Sequence, residues 1–296
     1  MTTGSVSRPA AARRTELLTL TVIERRPPGL RSRFAEAWRY RGLISFFGHR
    51  LVAKFYQRTF LGRIWIPLRP ALQVVPQILI FGGVLGVPSD GVPYAVFFMV
   101  GQAIWEAFGR LLYYGTRSVE LNRQLVKRLY FPRVVLPVAA IYPAAVELVT
   151  YGLMAAVTVG YFRIAHHHTY VKLAPELLLV PAGLALLALL ALGVAYWLSV
   201  FCAQYRDVRF AVRIGLGFWY LVTPVIYPLS AIPSRFRPLA DVNPATAPVE
   251  MIKRGLLGVG QVPMPALVIS VVSVAVLGAS GLWFFHRAAD SSVDRL

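Results

Sequence analysis

The chain has 296 residues, 57% of them hydrophobic and only 15% charged, with a formal net charge of +18. Soluble globular domains usually carry about a quarter charged residues, and disordered chains are poorer still in apolar ones. A mean hydropathy of +0.59 therefore excludes a soluble enzyme and a disordered chain, and leaves a polytopic, all-α membrane protein.

Residues 1–33 are rich in Arg, Pro, Ser and Thr, with no apolar core ahead of a small-residue cleavage site. They read as a cytoplasmic tail rather than a signal peptide. Residues 34–63 interleave aromatic and basic side chains at helical spacing. Trp38, Arg50, Lys54, Tyr56 and Arg58 mark an amphipathic helix in the interface plane, rings toward lipid and cations near headgroups. Six apolar stretches follow, at 66–87, 93–115, 134–162, 176–203, 210–228 and 264–285. Each has about 18 or more residues, enough to cross a bilayer as helix, and they define a six-span domain over 64–286.

In the first stretch Gly82 and Gly86 form a GxxxG pair, a pattern that permits close helix approach. The second carries Glu106 and Arg110 one turn apart on one helical face, and the third carries Glu147 as a lone carboxylate. Ionisable groups at that depth face protein or water, either as internal pairs that lock helices or on a substrate path. His166, His167 and His168 are consecutive in a loop, an arrangement that rarely converges on one ion, so no metal site is expected. Cys202 is the sole cysteine, so no intrachain disulfide is possible. Residues 229–263 are too apolar for a solvated loop and too broken by proline for a span. Short re-entrant or gate helices at the outer surface fit them best. Residues 287–296 complete the chain as a second cytoplasmic tail.

With those spans, 25 of the 31 lysines and arginines fall on one side of the membrane. The other side keeps Arg163, Lys172, Arg235, Arg237, Lys253 and Arg254. The positive-inside rule then places both termini in the cytoplasm. The charge reads as topology and headgroup contact, not as a nucleic-acid surface.

Catalytic motifs are missing. A phosphate loop needs lysine directly after glycine, and none of Lys54, Lys127, Lys172 and Lys253 follows one. Neither an Asp-x-Asp pair nor an HExxH run occurs. Uphill transport would draw its energy from a partner or an ion gradient.

Four blocks carry a family resemblance. Residues 55–70 read F-Y-Q-R-T-F-L-G-R-I-W-I-P-L-R-P, and residues 122–132 read N-R-Q-L-V-K-R-L-Y-F-P. Tyr205-Arg206-Asp207-Val208 follows the fourth stretch, and Thr223 to Pro228 (T-P-V-I-Y-P) and Asn243-Pro244 come after it. In this order they resemble the permease subunits of ABC type-2 exporters of polysaccharide, O-antigen and teichoic acid. The resemblance implies a homodimer in the bacterial inner membrane paired with two copies of a separate ATP-binding subunit. That partner would bind ATP and Mg, and the pair would export a lipid-linked glycan of O-antigen, galactan or teichoic-acid type.

It also implies an ATPase-coupling segment made of Asn122, Leu125, Val126, Lys127, Arg128, Phe131 and Pro132, and a second cytoplasmic turn at Tyr205, Arg206 and Asp207. Aromatic faces suit sugar rings and polyprenyl edges, so Trp105, Phe108, Tyr113, Trp219, Tyr220 and Tyr227, with Glu106 and Arg110, are channel candidates. An ordinary aromatic belt explains such rings equally well. Two rival classes remain: a permease of the same fold exporting a drug or small lipid, and an integral-membrane enzyme of lipid-linked sugar metabolism. The enzyme would need acids or histidines clustered at one face, and here the acids are scattered.

Overall fold

A computed structural model describes residues 40–56, 60, 62–128, 131–167, 170, 171 and 175–291, with backbone alone for 54–56, 63, 127, 128 and 289–291. The predicted tail 1–33, Trp38 and Arg58 lie outside the described residues. Within the described residues the chain is helical and contains no strand. In chain order the helices are α1 (Arg41–Tyr56), α2 (Trp65–Gln77), α3 (Tyr94–Thr116), α4 (Ser118–Leu121), α5 (Arg123–Arg128) and α6 (Val135–Val138). Then come α7 (Ile141–His166), α8 (Leu179–Gln204), α9 (Val208–Val222), α10 (Arg237–Val242), α11 (Thr246–Leu257) and α12 (Met264–Ser291).

Among the described residues, four helical segments are long and apolar enough to cross a membrane: Tyr94–Thr116, Val135–His166, Pro175–Gln204 and Met264–Ala288. The other two predicted spans differ from a regular membrane helix. The first holds Pro70 and Pro76 inside α2, then widens into a π-helix over Ile78–Val84, as happens where a helix loses regular i→i−4 bonds. The fifth is α9, only 15 residues long, which ends where Thr223 turns extended (ψ 136°) before Pro224. Proline disfavours the α conformation in the residue before it. At about 1.5 Å per residue α9 is shorter than a ~30 Å hydrocarbon core.

Helix α3 is the hub, packed by α7, α8, α9 and α11. Its buried positions run almost unbroken from Val96 to Trp105 and continue through Phe108, Leu111 and Leu112. A helix apolar all round belongs in the interior. Helix α12 packs mainly on α8 and leaves Val268, Val271, Val272, Val276 and Trp283 exposed. That seam is close because small residues face each other: a Cβ built on Gly281 would sit 2.6 Å from the Gly193 carbonyl oxygen. Trp197 closes the contact, donating from Nε1 to Ser280 Oγ (3.0 Å) and stacking on Phe284 with centroids 4.3 Å apart.

Among the described residues, the Gly82–Gly86 pair of the first stretch forms no helix–helix seam. Gly86 lies beyond the helix in left-handed backbone (φ +59°), with open space around its Cβ position. A Cβ on Gly82 would lie 2.5 Å from the Tyr94 ring. That glycine admits the first ring of α3; it does not face a second helix. Residues 229–263 fold as short helices, with 3-10 turns at Leu229–Ala231 and Ser234–Phe236 ahead of α10 and α11.

Candidate functional site

Four of the predicted channel aromatics converge. Trp105 and Phe108 from α3 meet Trp219 and Tyr220 from α9. Ring centroids are 5.2 Å apart for Trp105–Phe108, 5.6 Å for Trp105–Tyr220 and 5.2 Å for Phe108–Trp219, the last pair edge to face. Trp105 and Phe108 are buried, whereas Trp219 and Tyr220 are half-buried. Polar groups fix the rings: Tyr220 donates from its hydroxyl to Gln102 Oε1 (2.7 Å), and Gln102 Nε2 donates onward to Glu106 Oε1 (3.2 Å). Tyr113 and Tyr227 stand apart. Tyr227 donates to the Leu221 carbonyl (2.6 Å), and the Tyr113 hydroxyl accepts from Arg117 (3.1 Å) and Arg213 (3.0 Å).

Asn243, buried in the Asn-Pro block, joins this cluster to the segment after α9. Its Oδ1 accepts from Trp219 Nε1 (2.7 Å) and from the Ala245 amide (3.0 Å), while Nδ2 donates to Thr223 Oγ1 (2.9 Å). The Thr-Pro-Val and Asn-Pro blocks, twenty residues apart in sequence, thus share one network. Close by, the Lys253 ammonium is fully buried and donates to the Pro224 carbonyl. It lies 3.9 Å from the Phe97 ring centroid and 3.8 Å from Glu250 Oε1. Glu250 is buried too, and its Oε2 accepts from the Gln261 amide (3.0 Å). Sequence analysis assigns Lys253 only to the outer side; the i,i+3 spacing of Glu250 and Lys253 on one helix is the signal that pairs them.

Helix α5 follows from Asn122, whose carbonyl accepts from the Leu125 and Val126 amides and whose Nδ2 donates to the Ser118 carbonyl (2.9 Å). Val126 and Phe131 are buried, with the Phe131 ring 5.4 Å from Phe47 of α1. These apolar residues hold the segment to the body of the subunit. Leu125 and Pro132 are half-buried, and Arg123 and Gln124 are exposed. The side chains of Lys127, Arg128, Lys54 and Tyr56 lie outside the described residues, and Arg50 is half-buried on α1. Tyr205, Arg206 and Asp207 form an exposed turn at the start of α9, where the Asp207 carbonyl accepts from the Phe210 and Ala211 amides.

One carboxylate ties the two turns together. Glu120 on α4 accepts from Arg117 Nε (2.9 Å) and from Arg209 of α9 (3.3 Å). Burial works to raise this carboxyl, but the hydrogen bond and charge of Arg117, joined by Arg209, outweigh it and hold the group below its ordinary value.

Arg110 pairs with Glu147 of α7, so Glu147 is not the lone carboxylate expected. The partners are 37 residues apart, which hides the pair from any local pattern. Glu106 instead accepts from Gln73 Nε2 (3.2 Å) as well as from Gln102. Arg69, Gln73, Glu106, Arg110, Glu147 and Tyr151 line a cavity of about 360 Å³ between α2, α3 and α7. A second, apolar groove of about 490 Å³ runs between α8 and α9, from Tyr205 to Trp219.

Residues 43–257 match the family described as ABC-2 type transporter. Among curated proteins, the O-antigen export system permease protein RfbA of Myxococcus xanthus is 29% identical over 199 residues, covering 67% of this chain and 72% of that protein. A protein of the same name from Klebsiella pneumoniae is 24% identical over 189 residues, covering 64% of this chain and 70% of its own length. Another from Klebsiella pneumoniae is 24% identical over 210 residues, covering 68% and 76%.

Proposed function

The chain belongs to the ABC-2 type transporter family, and from that premise we propose that it is the permease subunit of an exporter of lipid-linked polysaccharide of the O-antigen type. The family makes it a transport component and not an enzyme. In this reading two copies form the path across the bacterial inner membrane. Two separate ATP-binding subunits hold ATP and Mg and drive them. Helix α2 with its π continuation supplies one further crossing. Helix α9, with the short helices after it dipping back from the outer face, supplies the sixth. The 25 basic residues on the side of both termini support that orientation.

The reading rests above all on the Asn243 network, which ties the Trp105, Phe108, Trp219 and Tyr220 rings to the outward segment. The half-buried Trp219 and Tyr220, backed by the buried Trp105 and Phe108, present a stacking face for sugars and a flat apolar surface for a polyprenyl chain. On the cytoplasmic side, the exposed Arg123 and Gln124, with Lys127 and Arg128, and the Tyr205–Asp207 turn are the surface on which the ATP-binding subunit sits. Val126 and Phe131 anchor that surface, and Glu120 makes the two turns move as one.

Deleting the gene and measuring surface glycan beside lipid-linked polymer retained inside tests the function. Polymer should accumulate in the cytoplasm and disappear from the surface. Complementation with R123E plus Q124E should restore the protein in the membrane but not export. A surface glycan at wild-type level after deletion would favour a drug or small-lipid exporter instead.

A further inference from the structure

The cavity between α2, α3 and α7 contains an unusual balance of charge. Arg110 and Glu147 neutralise each other across it. Arg69 and Glu106 do not: among the described residues neither has an oppositely charged partner within ion-pair distance. Glu106 takes only two amide donors, from Gln73 and Gln102, both at 3.2 Å. Tyr151 has just 2% of its surface exposed, yet its hydroxyl makes no hydrogen bond among the described residues. It lines the cavity and lies within electrostatic reach of Glu106, Arg69 and Arg110. A cation, an anion and a free hydroxyl thus converge on one space of about 360 Å³, within the size range of small-ligand sites.

Lone charges at membrane depth are expensive and mark binding groups. An anion alone would satisfy Arg69 but meet Glu106; a cation alone would do the reverse. Only a ligand carrying both charges satisfies the pair. The way in is from the side. Trp65, Arg69 and Gln73, spaced i, i+4, i+8 on one face of α2, are exposed as well as cavity-lining. Trp65 is the kind of residue that sits at headgroup level.

We propose that this cavity binds the zwitterionic headgroup of an aminophospholipid from the surrounding bilayer, with its phosphate on Arg69 and its ammonium on Glu106. Guanidinium presents a fork to phosphate oxygens, and the Tyr151 hydroxyl adds a donor. A primary ammonium can donate to the free lone pairs of Glu106, which a quaternary ammonium cannot. The site depends on the chain lying in a bilayer and not on which glycan is exported, so its failure leaves the export assignment standing.

Native mass spectrometry of the full-length chain in detergent tests it, with phosphatidylethanolamine, phosphatidylglycerol or phosphatidylcholine added in turn. The wild type should retain phosphatidylethanolamine about tenfold or more above the other two, the scale of a charge-assisted bond. Arg69→Gln should lose that preference, and Tyr151→Phe should weaken it without changing its order. Glu106→Gln removes the negative charge and should invert the preference toward phosphatidylglycerol. Equal retention of all three lipids by the wild type, or an unchanged order in Glu106→Gln, overturns the proposal even if Arg69→Gln fails to fold. Soluble phosphoethanolamine separates the two sources of this headgroup. It should compete with the lipid, whereas binding of it alone, with no lipid retained, would overturn the bilayer as the source.

Discussion

Asn243 fills its hydrogen-bonding capacity almost completely: two donors converge on Oδ1 and Nδ2 reaches Thr223. Replacing it by alanine removes the acceptor of the Trp219 indole N–H and of the buried Ala245 amide. A buried polar group stripped of its partner costs about 1–3 kcal/mol. Asn243→Ala should therefore lower the unfolding temperature of the purified chain and depress export beyond the loss of protein. If both stay at wild-type values, the network is incidental. Gly101 is a second point where identity is dictated at one residue. A Cβ there would lie 2.7 Å from the Val225 carbonyl oxygen, so α3 approaches the Thr-Pro-Val segment with no side chain between them.

At the scale of elements, the α8–α12 seam shows why helices in lipid associate through small residues. Lipid tails solvate leucine as well as protein does, so close van der Waals packing carries the contact. Gly281 and Gly278 lie on the same helix but differ in what surrounds them. Gly281 faces backbone at 2.6 Å, whereas Gly278 has nothing within 4 Å of its Cβ position. Overpacking a tight contact costs about 1–3 kcal/mol, whereas Gly→Ala in an open helical site gains up to ~1 kcal/mol. Thermal unfolding in detergent should show Gly281→Val destabilised and Gly278→Ala neutral or slightly stabilised. The opposite ranking would place the seam elsewhere on α12. Packing also fixes the segment that follows α5: the buried Phe131 ring lies 5.4 Å from that of Phe47 on α1.

For the molecule as a whole, the sidedness of the charge is the property most open to direct measurement. After Cys202→Ser, Ser234→Cys and Gln261→Cys should react with an impermeant thiol reagent in intact cells. Gln124→Cys and Arg287→Cys should react only after permeabilisation. All four positions are exposed on this chain, and labelling after permeabilisation shows that protection comes from the membrane and not from burial or a bound partner. Labelling of Gln124→Cys in intact cells would overturn the orientation. Serine is a mild replacement for Cys202, whose Sγ donates to Glu120 Oε2 at 3.6 Å, because a hydroxyl keeps that donor.

Class, family and the helical character of the chain were legible in the residues alone. Hydropathy and charge add up along a sequence without reference to what touches what, and short motif blocks keep their order whatever the packing. The irregular ends of the first and fifth stretches were half legible, in Pro70 and Pro76, which lack an N–H, and in Pro224, which disfavours the α conformation at Thr223. What required the tertiary structure was every pairing between helices. Arg110 meets Glu147 across 37 residues, Trp105 meets Trp219 and Tyr220 from another helix, and Lys253 turns inward to the Pro224 carbonyl. Which face of a helix meets which neighbour depends on rotations and crossing positions set jointly by all the packed elements, and in helices apolar on every side the sequence carries no stripe to announce them.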